Sequence, residues 1–141
     1  MTDSGILEEL LEQRAEIDPG ELEGLRLRVK HRFIEAVRDL LAANRAAVRE
    51  IAGARVLLEA LREMPAVRVA IATCGWAETA QVKLRAIGVD TEGLGFASAS
   101  DAIARTKIMQ LSEQRALRGT PAMSRTYFGD GAWDKRASAE L

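Results

Sequence analysis

Along the first third of the chain, apolar residues recur at helical spacing. Ile6, Leu7, Leu10 and Leu11 share one face of a short amphipathic helix. Asp18-Pro19-Gly20-Glu21 then reads as a helix start. Asp18 is expected as N-cap, with Pro19 at the first helical position, where its missing N–H costs nothing, and Glu21 placed to close a capping box. Leu22, Leu25, Val29, Phe33, Val37 and Leu40 follow at steps of three and four residues, predicting one long helix with a single apolar stripe. The stretch 6–47 is expected to be helical throughout. Helices of this kind bury one face each and need a partner surface.

From residue 54 onward the pattern changes. A helix is predicted over about 54–64, with Leu57, Leu58 and Leu61 inward and Pro65 stopping it. Val67-Arg68-Val69-Ala70-Ile71-Ala72 is short, β-branched and bounded by breakers, and reads as a strand. Thr73-Cys74-Gly75 is the turn after it. A helix over about 77–87 ends at Gly88, a left-handed cap position. Gly95-Phe96-Ala97-Ser98 is a second strand, and Asp101 is placed to cap a helix over about 104–117, closed by Gly119 and Pro121. A third strand, Arg125-Thr126-Tyr127-Phe128, runs into Gly129-Asp130-Gly131, and a further helix starts at Trp133. Strands alternating with helices imply βαβ units and a parallel sheet. The expected class is α/β, with a helical region over 1–47 and an α/β core over 48–141.

Composition narrows the partners rather than the fold. Twenty Lys and Arg against 21 Asp and Glu leave a formal charge of -1, which argues against a broad basic surface for nucleic acid. At 48% hydrophobic the 141-residue chain is globular, yet with 4% aromatics its core must rest on Leu, Ile, Val and Ala. No apolar run approaches the ~18 residues of a membrane span, and the polar Met1-Thr2-Asp3-Ser4 opening is not a signal peptide. Cys74 is the one cysteine, so no internal disulfide forms. A cytoplasmic protein without nucleic-acid or membrane partners is expected.

In open parallel sheets ligands bind beyond the carboxyl ends of the strands. That rule selects residues 73–75, the region 98–107, and Gly129-Asp130-Gly131-Ala132-Trp133-Asp134. Each has a plain structural reading. A Gly-Asp-Gly is often only a turn, a strand-end Thr often caps a helix, and Arg105 and Lys107 read as solvated charges. Cys74 has no histidine to activate it, since His31, the one histidine, lies on the long helix and reads as a solvated or half-buried side chain. No His/Cys cluster suits zinc, and no P-loop or Gly-x-Gly-x-x-Gly occurs.

Taken in order, however, "VRVAIATCGWAETAQVKLRAIGV", "SDAIARTKIMQL" and "TYFGDGAWDKRASAEL" resemble the haloacid-dehalogenase-like hydrolase superfamily, and within it the phosphoglycolate-phosphatase-like branch. The resemblance implies an incomplete Rossmann-like three-layer core with the helical region as its cap. It implies phosphoryl transfer to a carboxylate, so the site must hold a dianion. Thr73, with a backbone N–H at Cys74 or Gly75, would bind phosphate oxygens, and Gly75 would let the backbone approach. The helix beginning near Trp76 would point its N-terminus at the anion. Arg105 matches the basic residue of the third motif, with Lys107 its nearby substitute. Asp130 and Asp134 match the carboxylates that hold Mg²⁺.

The family's first motif, Asp-x-Asp, is missing. The seven aspartates are Asp3, Asp18, Asp39, Asp90, Asp101, Asp130 and Asp134, and no two are separated by one residue. The resemblance therefore implies a shortened member that begins after the nucleophile strand and ends just inside the helix after the fourth motif. Two functions are open. One is a magnesium-dependent phosphatase for a small phosphorylated metabolite, inactive as this chain for want of the nucleophile. The other is a non-catalytic remnant that binds a partner through its amphipathic helices. By the same resemblance a central strand is missing between 67–72 and 125–128. Direct pairing of those strands, filling of the gap by another chain (self-association through unpaired strands) and a partly disordered core are all open.

Overall fold

The computed structural model describes residues 1–14 and 18–141. Residues 15–17, inside the stretch expected to be helical, lie outside the described residues. The elements in chain order are α1 (Asp3–Glu12), α2 (Pro19–Ala43), a 3₁₀ turn (Arg45–Ala47), α3 (Ala54–Glu63), β1 (Ala70–Ala72), α4 (Ala77–Ala86), β2 (Gly95–Ala97), α5 (Arg105–Leu117) and α6 (Ala132–Ala139). The class is a mostly helical α/β fold, with a two-stranded parallel sheet packed against helices. No helix among the described residues is long and apolar enough to cross a membrane.

Local signals place most helix ends. Thr2 caps α1 by accepting the Gly5 N–H at 3.1 Å, and Asp18 caps α2 by accepting the Gly20 N–H at 2.7 Å. The expected capping box at Glu21 is not formed: its N–H goes to the Asp18 carbonyl, and among the described residues its carboxylate makes no return bond. Gly88, at φ +79°, lets the chain turn left after α4, so that the Val89 N–H reaches back to the Leu84 carbonyl at 2.9 Å. Asp101 does not cap α5. Its carboxylate folds back onto the Ser98 N–H and hydroxyl and pairs with Arg115 at 2.6 Å. The Arg115 guanidinium, with the Ser98 donors, holds that carboxyl below its ordinary range against the opposing effect of burial.

Burial departs from the predicted stripes. On α2 the buried residues are Ile34 and Leu41, while Val29, Phe33 and Leu40 are exposed to varying degrees. A straight helix of 25 residues drifts relative to a simple three-and-four pattern, so one stripe cannot face one partner along its whole length. On α3 no residue is buried, and Leu57 is exposed. The core instead joins Leu7 and Leu11 of α1 to Trp76 and Ala99, with Leu22 and Leu25 of α2 against it. The helical N-terminal region thus sits over the carboxyl ends of the strands. Beneath, α5 packs across both strands through Ile108, Met109 and Ser112. Gly95 makes that approach feasible, because a side chain there would collide with the Ser112 carbonyl and Ala116.

The third strand is not formed. Residues 125–128 have no ladder partner among the described residues, and a strand exists only where its backbone is paired. Direct pairing with β1 does not occur among the described residues: β1 is bonded to β2 alone. The Gly95 N–H bonds to Val69 and the Thr73 N–H to Ala97, so odd-numbered residues of β1 face β2. In a parallel ladder the intervening residues, Ala70 and Ala72, then present their N–H and C=O groups to the open edge.

Amide hydrogen exchange should therefore divide by parity along β1. In a dilute monomer Thr73 is expected to be protected and Ala72 to exchange freely. Protection of Ala72 that grows with protein concentration would report strand pairing between copies. Slow exchange of Ala72 at high dilution would contradict an open edge.

Candidate functional site

The turn after β1 is organised by its own hydroxyl. The Thr73 N–H stays in the ladder, bonded to Ala97 at 3.0 Å, while the Thr73 Oγ1 accepts the Gly75 N–H at 3.2 Å. Of the two backbone donors open from the sequence, Gly75 is thereby spent within the turn. Among the described residues the Cys74 N–H makes no hydrogen bond and the Thr73 hydroxyl proton has no acceptor. These two donors remain for an outside acceptor. Gly75 is not forced by space: a Cβ there would sit in ordinary contact, 3.6 Å from both Thr73 Oγ1 and Asp3 Oδ2.

The start of α4 is not open. Asp3 Oδ2 accepts the Trp76 N–H at 3.1 Å and Ser100 Oγ accepts the Ala77 N–H at 3.2 Å. The Asp3 N–H in turn donates to the Cys74 carbonyl at 2.8 Å. Trp76 is 6% exposed; its indole N–H donates to Ser4 Oγ at 2.9 Å, and Phe33 of α2 meets its ring edge-on at 5.4 Å. Asp3, Ser4 and Trp76 were not legible as site residues. They come from opposite parts of the chain, and an acidic residue ahead of a helix carries no local sign of a second helix that it will cap.

Arg105, at the first turn of α5, pairs with Asp134 Oδ1. Asp134 is 4% exposed; its Oδ2 accepts the Gly131 N–H at 3.1 Å, tying the carboxylate to the start of α6, and the Tyr127 hydroxyl lies 3.5 Å from Oδ1. The two glycines of the Gly-Asp-Gly segment are closely approached by neighbouring side chains. A side chain at Gly129 would come within 2.6 Å of Asp134 Cβ, and one at Gly131 would run into the Trp133 ring. Asp130 and Lys107 are exposed to solvent. His31 is also exposed, 3.6 Å from Glu35.

The turn and the ion pair share one neighbourhood. Burial pushes the Cys74 thiol above its ordinary range, Arg105 and the Met1 amino group oppose that rise, and Asp134 and Asp3 add to it. Tyr127 is raised by burial and by Asp134 in the same way. On the α2 side Lys30 reaches Glu78 Oε1 at 3.0 Å and Ser100 Oγ at 3.4 Å, leaving Glu78 Oε2 buried without a partner. Burial raises the Glu78 carboxyl, yet its own N–H and Lys30 bring it below the ordinary carboxylate range.

A magnesium ion at Asp130 and Asp134 would meet an Asp134 carboxylate already in use. Both Asp134 oxygens are engaged, one by a guanidinium that a divalent ion would have to displace. Among the described residues no three His, Cys, Asp or Glu side chains gather around one point. What the arrangement offers is a cation held by a buried carboxylate, beside two neutral hydrogen-bond donors.

Arg105→Ala should cost about 3 kcal/mol in urea unfolding, because it strands the buried Asp134 carboxylate. Arg105→Met combined with Asp134→Leu should cost markedly less, and strict additivity of the two changes would show that they do not act as a pair. At pH 8, native Cys74 should react with a disulfide reagent at least about tenfold more slowly than in the unfolded chain. Comparisons with protein-family models, curated proteins and solved structures found no match to this chain.

Proposed function

We propose that this chain carries the phosphoryl-binding part of a haloacid-dehalogenase-like phosphatase acting on a small phosphate monoester, similar to the phosphoglycolate-phosphatase-like branch. In this reading β1, β2 and their helices belong to a Rossmann-like three-layer core, and residues 1–47 are its cap. One observation carries the reading. At the carboxyl end of β1 two donors, the Thr73 hydroxyl and the Cys74 N–H, stand without partners among the described residues, in the same neighbourhood as Arg105. Neutral donors plus one guanidinium suit a tetrahedral dianion, whose oxygens accept from several directions at once.

The protein groups divide the work. Thr73 and Cys74 fix two phosphate oxygens, and Arg105 turns from Asp134 to share the added charge. Magnesium, which the resemblance implies, would be held by Asp134 with Asp130, and needs Asp134 to be released from Arg105 first. The carboxylate nucleophile of the family is not present as Asp-x-Asp among these 141 residues. The chain alone therefore binds phosphate without turning over an ester. A second reading, a partner-binding module without catalysis, is favoured by the apolar side chains exposed on the helices, Leu27 and Leu40 on α2 and Val56 on α3.

Titration of the isotopically labelled chain with inorganic phosphate separates the two. The expected result is millimolar binding with the largest amide shifts at Thr73 and Cys74, weakened about tenfold or more by Arg105→Ala. An aryl phosphate with Mg²⁺ should give no turnover. Absence of shifts at this turn would remove the phosphate reading and leave the partner-binding one.

A further inference from the structure

The anion position at the start of α4 is already filled by a carboxylate from the same chain. Asp3 Oδ2 holds the Trp76 N–H at 3.1 Å, and the segment carrying it is fastened at three more points. The Thr2 hydroxyl, 2% exposed, donates to the Ile103 carbonyl at 2.9 Å. The Asp3 N–H donates to the Cys74 carbonyl, and the Ser4 hydroxyl donates to the Ala99 carbonyl at 2.7 Å. Asp3 Oδ2 and Thr73 Oγ1 each lie 3.6 Å from the point that a Gly75 Cβ would occupy. They are thus within about 7 Å of one another, less than the screening length at physiological salt.

We propose that Asp3 is an internal anion competing with phosphate for this helix end, and that residues 2–4 form a strap that sets the strength of that competition. The inference rests on the phosphate reading of the Thr73 turn. With the strap seated, Trp76 is capped, and an incoming dianion meets the Cys74 N–H, the Thr73 hydroxyl and Arg105, against a fixed like charge. With the strap lifted, the Trp76 N–H and the positive end of α4 join those donors. A residue that merely capped the helix would act through its acceptor atom alone. A competing anion acts through its charge as well, and the two are separable because Asn keeps the acceptor and removes the charge.

The experiment compares wild type, Asp3→Asn and Asp3→Ala by phosphate titration and by exchange of the Trp76 amide. Asp3→Asn should keep Trp76 protected and bind inorganic phosphate about three- to tenfold more tightly, a gain that shrinks in about 0.5 M NaCl. Asp3→Ala should speed Trp76 exchange about tenfold or more, as loss of its acceptor requires. Asp3→Ser, a shorter neutral acceptor, gives a second reading of the charge effect should the Asn variant fold poorly. Phosphate affinity equal to or below wild type in both neutral-acceptor variants, with Trp76 still protected, would overturn the competition while leaving the phosphate site standing. Phosphate binding by none of these proteins would overturn the site itself, and the competition with it.

Discussion

Strands of three residues leave the peptide groups just beyond them without ladder partners, and a buried group left in that state costs roughly 1–3 kcal/mol. At the carboxyl ends of β1 and β2 the chain meets this constraint with its first residues. The Cys74, Ala99 and Ile103 carbonyls accept from the Asp3 N–H, the Ser4 hydroxyl and the Thr2 hydroxyl respectively, and Asp3 takes the Trp76 N–H in exchange. The rest follows from that stitch. It fixes where α1 starts and seats Leu7 and Leu11 on Trp76. It also brings α2 close enough for Phe33 to meet the indole and for Lys30 to reach Glu78. The helical region is therefore attached over the strand ends by hydrogen bonds at one point and by a small apolar cluster around it.

The same stitch shapes the electrostatics of the site. Asp3 and Asp134 bring two carboxylates to the carboxyl end of β1, and Arg105 is committed to the second of them. An anion arriving there does not find an open cationic hole. It finds two neutral donors on the Thr73 turn, a guanidinium to be shared, and a carboxylate to be displaced or tolerated. On the phosphate reading proposed above, binding is an exchange of partners within this network, and single substitutions act through the partner left behind as much as through the group removed. The raised Cys74 thiol fits this picture: it sits half-buried among these charges, with no histidine to activate it.

Helix positions were largely legible along the chain because their causes are local. Asp18 ahead of Pro19, Gly88 after α4, and the runs of three-and-four spacing all act within a few residues. The two paired strands were legible for a similar reason, since 67–72 and 95–98 are short, apolar or small, and bounded by breakers, although the ladder keeps only Ala70–Ala72 and Gly95–Ala97. Arg105 and Asp134 stood out in the sequence only through the resemblance of their motifs, and not as partners of each other. Asp101 was legible as a polar residue near a helix start, but its carboxylate had several donors within reach and took Ser98 and Arg115 instead.

By itself, then, the sequence determined the elements and their α/β order, because backbone propensity and capping are settled by neighbours in the chain. Tertiary structure alone decided which faces are buried, that 125–128 stays unpaired among the described residues, and that Asp3 stands at the end of α4. The last of these depends on groups more than seventy residues apart meeting at one place. A strand needs a partner backbone and a buried polar atom needs a counterpart, and neither requirement is written in local spacing; only the packed chain shows which group arrives to meet it.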